Sequence, residues 1–66
     1  ALFRAGSRAG VLLTQSHRDR ITATVKVPGG RYTGFDALGA AEVREEAGSV
    51  TVEIPRDGMV LLRYDC

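Results

Sequence analysis

The chain has little of what usually staples a small protein or gives it chemistry. It holds one cysteine, Cys66, so no disulfide can close within it. It holds one histidine, His17, which leaves a transition-metal cluster without a second nitrogen or sulfur ligand beyond that thiol. Tryptophan is absent, and two tyrosines and two phenylalanines are the only rings for a stacking platform. No apolar run nears the ~20 residues that a membrane-spanning helix needs. Val11-Leu-Leu13 is also far too short for the apolar heart of a signal peptide. Neither sign of charge dominates: nine basic and eight acidic residues are mixed along the chain, for a net charge of +1. That balance is no electrostatic footprint for nucleic acid or for an anionic membrane.

What is present is alternation. Ile21-Thr-Ala-Thr-Val-Lys-Val27 places Ile21, Ala23, Val25 and Val27 on one face, with Thr22, Thr24 and Lys26 on the other. Ser49-Val-Thr-Val-Glu-Ile54 repeats the device, and Met59-Val-Leu-Leu-Arg-Tyr64 is a more fully apolar run. Side chains alternate across a strand, so period-two patterning on β-branched residues is the mark of a half-buried strand.

The remaining segments are assigned from their punctuation. Ala1 to Arg4 is expected to be a short first strand, and Ala5 to Gly10, with two glycines and a serine, a turn. Val11 to Gln15 fits a central strand, and Ser16 to Arg20 a polar hairpin loop leading into Ile21. Pro28-Gly-Gly30 ends that strand, since proline offers no ladder donor. Arg31 to Asp36 is extended, anchored by Tyr32 and Phe35, with a bulge expected at Gly34. Asp36 to Gly39 is expected to be a compact turn with Leu38 tucked beneath it. Ala40 to Glu46 has helix-forming composition, but it is short and only Val43 would bury, so a strand over Glu42 to Glu45 is preferred. A turn at Glu46 to Gly48 then joins it to the next strand, and Pro55-Arg-Asp-Gly58 supplies the last turn. About seven short strands with this spacing imply an all-β fold, a small antiparallel β-sandwich, with a small β-barrel satisfying the same alternation.

No group is convincingly placed for catalysis. Ser16, His17 and Asp19 share one loop, whereas a working triad needs its members brought together in space with an oxyanion hole. Glu42, Glu45, Glu46 and Glu53 are carboxylates on outward strand positions, as solvated face residues are. Asp57-Gly58 is too little for calcium, and Pro28-Gly-Gly30 lacks the lysine and helix start of a phosphate loop. Catalytic, cofactor and metal residues are therefore expected to be absent. Tyr32 and Tyr64 are assigned to core packing, while Phe35, beside Gly34, and Tyr32 stand as surface-contact candidates. Because sixty-six residues bury only a modest core without a disulfide or metal, a larger partner body is expected to complete the chain.

The runs Val27 to Gly39, Ser49 to Pro55 and Gly58 to Arg63 together resemble the small β-sandwich domain at the C-terminus of many (β/α)8-barrel glycoside hydrolases. In those domains a strand ends at a Pro/Gly turn and an aromatic-bearing strand follows. A turn carrying Asp, Leu and Gly comes next, here Asp36, Leu38 and Gly39. Then comes a strand closing on Val-x-Ile-Pro, here Val52, Ile54 and Pro55, and a final strand with Gly58, Val60 and Leu61. Family members often carry Asn in the first polar loop, where this chain has Gln15-Ser-His17. The resemblance implies a non-catalytic accessory role: a C-terminal module or small subunit packed on the flank of a catalytic barrel. The catalytic carboxylates of such enzymes lie at the C-terminal face of the barrel strands. A carbohydrate-binding module and a small β-barrel interaction domain unrelated to sugars are the rival expectations.

Overall fold

A computed structural model describes residues 1–66. Seven strands follow one another without a helix: β1 (Leu2–Ala5), β2 (Arg8–Thr14), β3 (Arg20–Val25), β4 (Arg31–Leu38), β5 (Glu42–Glu46), β6 (Ser49–Pro55) and β7 (Met59–Asp65). They form a four-stranded sheet of order β1-β2-β7-β4 and a three-stranded sheet of order β3-β6-β5. Every pairing is antiparallel. The sheets do not close on one another, so the architecture is a β-sandwich rather than a barrel.

The alternation built the core as expected. Val50, Val52 and Ile54 of β6 face inward from one sheet, and Val60, Leu62 and Tyr64 of β7 from the other, all buried. Ala9, Val11 and Val27 complete the buried hydrophobic core, with Ile21, Ala23, Val25, Val43, Leu13 and Tyr32 packed around it. Each fully buried aliphatic side chain of this size contributes roughly 1.5–3 kcal/mol by leaving water. The accessible surface is 4414 Å², above the roughly 4,100 Å² of a typical folded chain of this mass, so the fold exposes more than its size requires.

Several boundaries differ from the sequence reading. Arg8, Ala9 and Gly10 belong to β2, and the first turn shrinks to Gly6–Ser7, where Gly6 takes φ 64° at the first central position. Ser16 to Arg20 is not a hairpin: β3 pairs with β6 in the other sheet, so this loop crosses the sandwich. Asp36 to Leu38 continue β4 instead of turning, and Leu38 is exposed rather than tucked away. β3 ends at Val25, while Val27 leaves the ladder yet stays buried, its carbonyl accepting from the Gly30 amide at 2.9 Å. The expected bulge is present, with a register shift between Tyr32 and Gly34 against β7. The β5–β6 hairpin also forms as expected, on a two-residue turn with Ala47 at φ 43° and Gly48 at φ 86°.

One side chain ties the two crossing loops together. Gln15 Nε2 donates to the carbonyls of Arg18 (2.9 Å) and Ile54 (3.1 Å), while Oε1 accepts from the amides of His17 (3.2 Å) and Arg18 (3.0 Å). Backbone bonds from Arg56 to the Asp19 carbonyl and from Asp57 to the Gln15 carbonyl, each 3.0 Å, close the same corner. Gln15→Ala strands these groups and is expected to lower stability by about 2 kcal/mol, read from urea unfolding midpoints. Ala47→Asn, which tolerates a positive φ better, should raise stability by roughly 0.5 kcal/mol in the same assay.

Candidate functional site

The polar residues of the sequence do not converge into a reaction centre. Asp19 turns to Arg56 at 3.0 Å rather than to His17, whose amide is spent on Gln15, so Ser16, His17 and Asp19 form no relay. Glu42 and Glu53 are cross-strand partners on the outer face of the three-stranded sheet. Arg20 lies against both, at 4.0 Å and 3.4 Å, and also donates to the Ala40 carbonyl at 3.2 Å. An exposed carboxylate pair bridged by a guanidinium, on an open sheet face, has no water-excluded pocket in which to move a proton. No three His, Cys, Asp or Glu side chains gather as metal ligands. Cys66 is exposed, its amide bonded to the Ser7 carbonyl and its Sγ 3.8 Å from Arg4 Nη1.

Glu45 departs from the outward alternation read in the sequence. It pairs with buried Val50, which puts it on the inward side of β5, at the end of the sandwich where Tyr32 and Tyr64 sit. The two tyrosines are cross-strand partners and meet edge to face, ring centroids 5.8 Å apart at 66°. Tyr64 is buried and its hydroxyl has no hydrogen-bond partner; Tyr32 is half-buried beside it. Burial lifts both phenols above the usual 10.0. The Glu45 carboxylate pushes both further up, Tyr32 adds to the rise at Tyr64, and Arg63 partly offsets it at Tyr32.

Of the two surface-contact candidates, Tyr32 is thus packed against Tyr64, whereas Phe35 is 40% exposed. Phe35 borders an open groove of about 630 Å³ whose lining runs through Ala41 and Val43 to Glu42, Arg44 and Glu53. The two rings share the inward side of β4, one opposite Tyr64 and the other opposite Leu62.

The feature that sequence reasoning missed is the outer face of the four-stranded sheet. Register places Phe3 opposite Gly10, Leu12 opposite Leu61, and Leu38 opposite Met59, all on the side away from the core. Phe3 lies so close over Gly10 that a Cβ there would meet its ring at 2.6 Å, and Phe3 is still half exposed. Leu38 is 60% exposed. Two ion pairs cross this face beside the apolar residues, Arg63 to Asp36 at 3.0 Å and Arg31 to Asp65 at 3.4 Å. The opposite outer face, on β3, β6 and β5, reads Thr22, Thr24, Thr51, Glu53, Glu42 and Arg44 and is polar throughout. The signal was legible: Val11-Leu-Leu13 and Val60-Leu-Leu62 are continuous apolar runs, and a continuous run puts an apolar side chain on both faces of its strand.

No family model, no curated protein and no solved structure matches this chain.

The tyrosine corner makes a pH-dependent statement. Both folded-state phenols ionise above 10.0, so the unfolded chain loses its protons first. Their contribution is complete below that pH and is lost as pH rises through the folded values. Phenolate absorbance should therefore rise late in the native titration, with stability falling over the same alkaline range. Tyr64→Phe removes the unpartnered hydroxyl and should leave neutral-pH stability unchanged or higher by up to about 1 kcal/mol. The same variant should shrink the alkaline loss.

Proposed function

We propose that this chain is a non-catalytic β-sandwich module of a glycoside hydrolase, packing on the catalytic barrel and stabilising it. The observation that carries the reading is the asymmetry of the outer faces. One sheet presents Phe3, Leu12, Leu61, Met59 and Leu38 to the outside beside the pairs Arg63–Asp36 and Arg31–Asp65, and the other presents threonines and charges with no large apolar side chain. Contiguous apolar area on a small protein marks a surface that another body covers. The resemblance of Ser49–Pro55 and Gly58–Arg63 to the C-terminal domains of barrel glycosidases suggests the kind of body, the apolar flank of barrel helices, although Asp36 to Leu38 lie in β4 where that pattern has a turn. In this role the chain contributes buried area and shape, and the catalytic carboxylates belong to the barrel.

Phe35 supports a second reading, an independent carbohydrate-binding module. Its ring is exposed beside a groove with Glu42, Arg44 and Glu53, an arrangement able to stack on a sugar and bond its hydroxyls.

Native mass spectrometry of the material from its source separates the two. The module reading expects this chain to travel with a heavier polypeptide that carries glycosidase activity. It also expects Leu38→Lys with Leu61→Lys to release the chain while it stays folded by circular dichroism. A lone folded chain that binds glycans and loses them on Phe35→Ala overturns that reading in favour of sugar binding. A lone chain that ignores glycans overturns both.

A further inference from the structure

The two sheets are unequal, and the inequality leaves one defined vacancy. Glu45 of β5 acts on Tyr32 of β4, and Phe35 of β4 borders the same groove as Ala41 and Val43, so β5 lies over β4. With orders β3-β6-β5 and β1-β2-β7-β4, β6 then lies over β7, β3 over β2, and nothing over β1. Burial follows this stacking. Ala9 and Val11 of β2 are 6% and 8% exposed, whereas Leu2, the inward partner of Val11 on β1, is 56% exposed. The inward side of β1 is a floor without a roof.

Beside that floor runs the free edge of β3. Edges invite pairing unless something guards them. β1 is only four residues long, β4 carries the bulge at Tyr32/Gly34, and β5 bears Glu42, Arg44, Glu45 and Glu46. β3 has none of these devices. Between Arg20 and Lys26 it reads Ile-Thr-Ala-Thr-Val, uncharged, without glycine, proline or a register shift. Its outermost backbone groups have no partner in the sheet, because β3 pairs with β6 alone.

We propose that this edge accepts one extended strand from a partner polypeptide, antiparallel to β3 and roofing the inward side of β1. A second copy pairing through its own β3 does not fit, because its β2 would need the space that β1 occupies. The overhang is one strand wide, about 4.8 Å, and takes one strand. Charge defines the guest further. Val25, Val50 and Glu45 make one cross-strand row, and Arg4, Ala9, Tyr64 and Tyr32 another; Val50 and Tyr64 lie equally far along β6 and β7 from the Pro55–Gly58 turn that joins these strands, so the two rows oppose each other. The guest position beside Val25 therefore lies over Arg4, and the position beside Ala23 over Leu2. Arg4 takes part in no ion pair, its guanidinium resting only on the Cys66 sulfur. The guest thus carries a carboxylate over Arg4 and, two residues on, an apolar side chain over Leu2. The ladder supplies affinity, and these two positions supply specificity.

The test uses the whole chain and a blocked peptide reading Thr-Glu-Thr-Val-Thr-Val-Thr. Amide exchange should slow on alternate residues of Arg20–Val25, by about tenfold or more at saturation, and stay unchanged on β5. Methylating the peptide nitrogens that face β3 should weaken binding by about tenfold or more. Replacing the peptide's Glu by Lys should weaken binding to the native chain and strengthen it to Arg4→Glu, an exposed substitution that leaves the core intact. Leu38→Lys with Leu61→Lys should leave peptide binding unchanged, so failure of the module reading does not bear on this one. No binding, binding indifferent to backbone methylation, protection on β4 or β5, or edge protection that rises with protein concentration in the absence of peptide would each overturn the proposal.

Discussion

Everything in this fold hangs on the contact between β6 and β7. These strands are consecutive in the chain, joined through Pro55-Arg-Asp-Gly58, and they lie in different sheets. Val50, Val52 and Ile54 from one meet the layer of Val60, Leu62 and Tyr64 from the other, and these six include all five of the largest fully buried side chains. Every other strand reaches the core through them: β2 and β4 bond to β7, β3 and β5 to β6, and β1 to β2. Distance from this pair grades burial, which falls until every residue of β1 is exposed.

A core so narrow explains what the protein does with the rest of its surface. Stability in a chain of this size is limited by how much apolar area one sandwich can enclose, and a single cysteine allows no internal disulfide to supplement it. Leu12, Leu61, Met59 and Leu38 lie on the wrong side of their sheet to enter that core. Covering them by another body extends the same hydrophobic driving force beyond the chain. The polar outer face of β3, β6 and β5, with its threonine pair at 3.4 Å and its Arg20-centred ion pairs, suits water instead. One side to pack and one side to solvate is the asymmetry on which the proposed module role rests.

Periodicity carried most of the fold. Thr22, Thr24, Thr51 and Glu53 announced the outward sides of β3 and β6 because a strand alternates strictly. Gly34 announced the bulge, and Glu46 to Gly48 the hairpin. Pairing partners were not legible. Ser16 to Arg20 has the composition of a hairpin loop, and nothing local distinguishes a loop that returns to the same sheet from one that crosses to the other. That choice is made by Gln15, whose side chain bonds the Ile54 carbonyl thirty-nine positions away. The candidate surface residues divided for a similar reason: Tyr32 found Tyr64 across the ladder, and Phe35, one row further along past the bulge, did not find an equivalent partner.

The amino-acid order alone determined that this chain is all-β, where most of its strands run, and which residues build most of the core. Those properties follow from side-chain polarity at fixed spacing and from turn residues with restricted dihedrals, both local. The tertiary structure alone decided which strand lies beside which, and therefore that one sheet is a strand wider than the other. It also turned Glu45 toward the tyrosines, gathered Phe3, Leu12, Leu61 and Leu38 into one face, and left β3 with a bare edge beside an open floor. These depend on contacts between residues far apart in sequence, which alternation permits in many combinations and packing resolves into one.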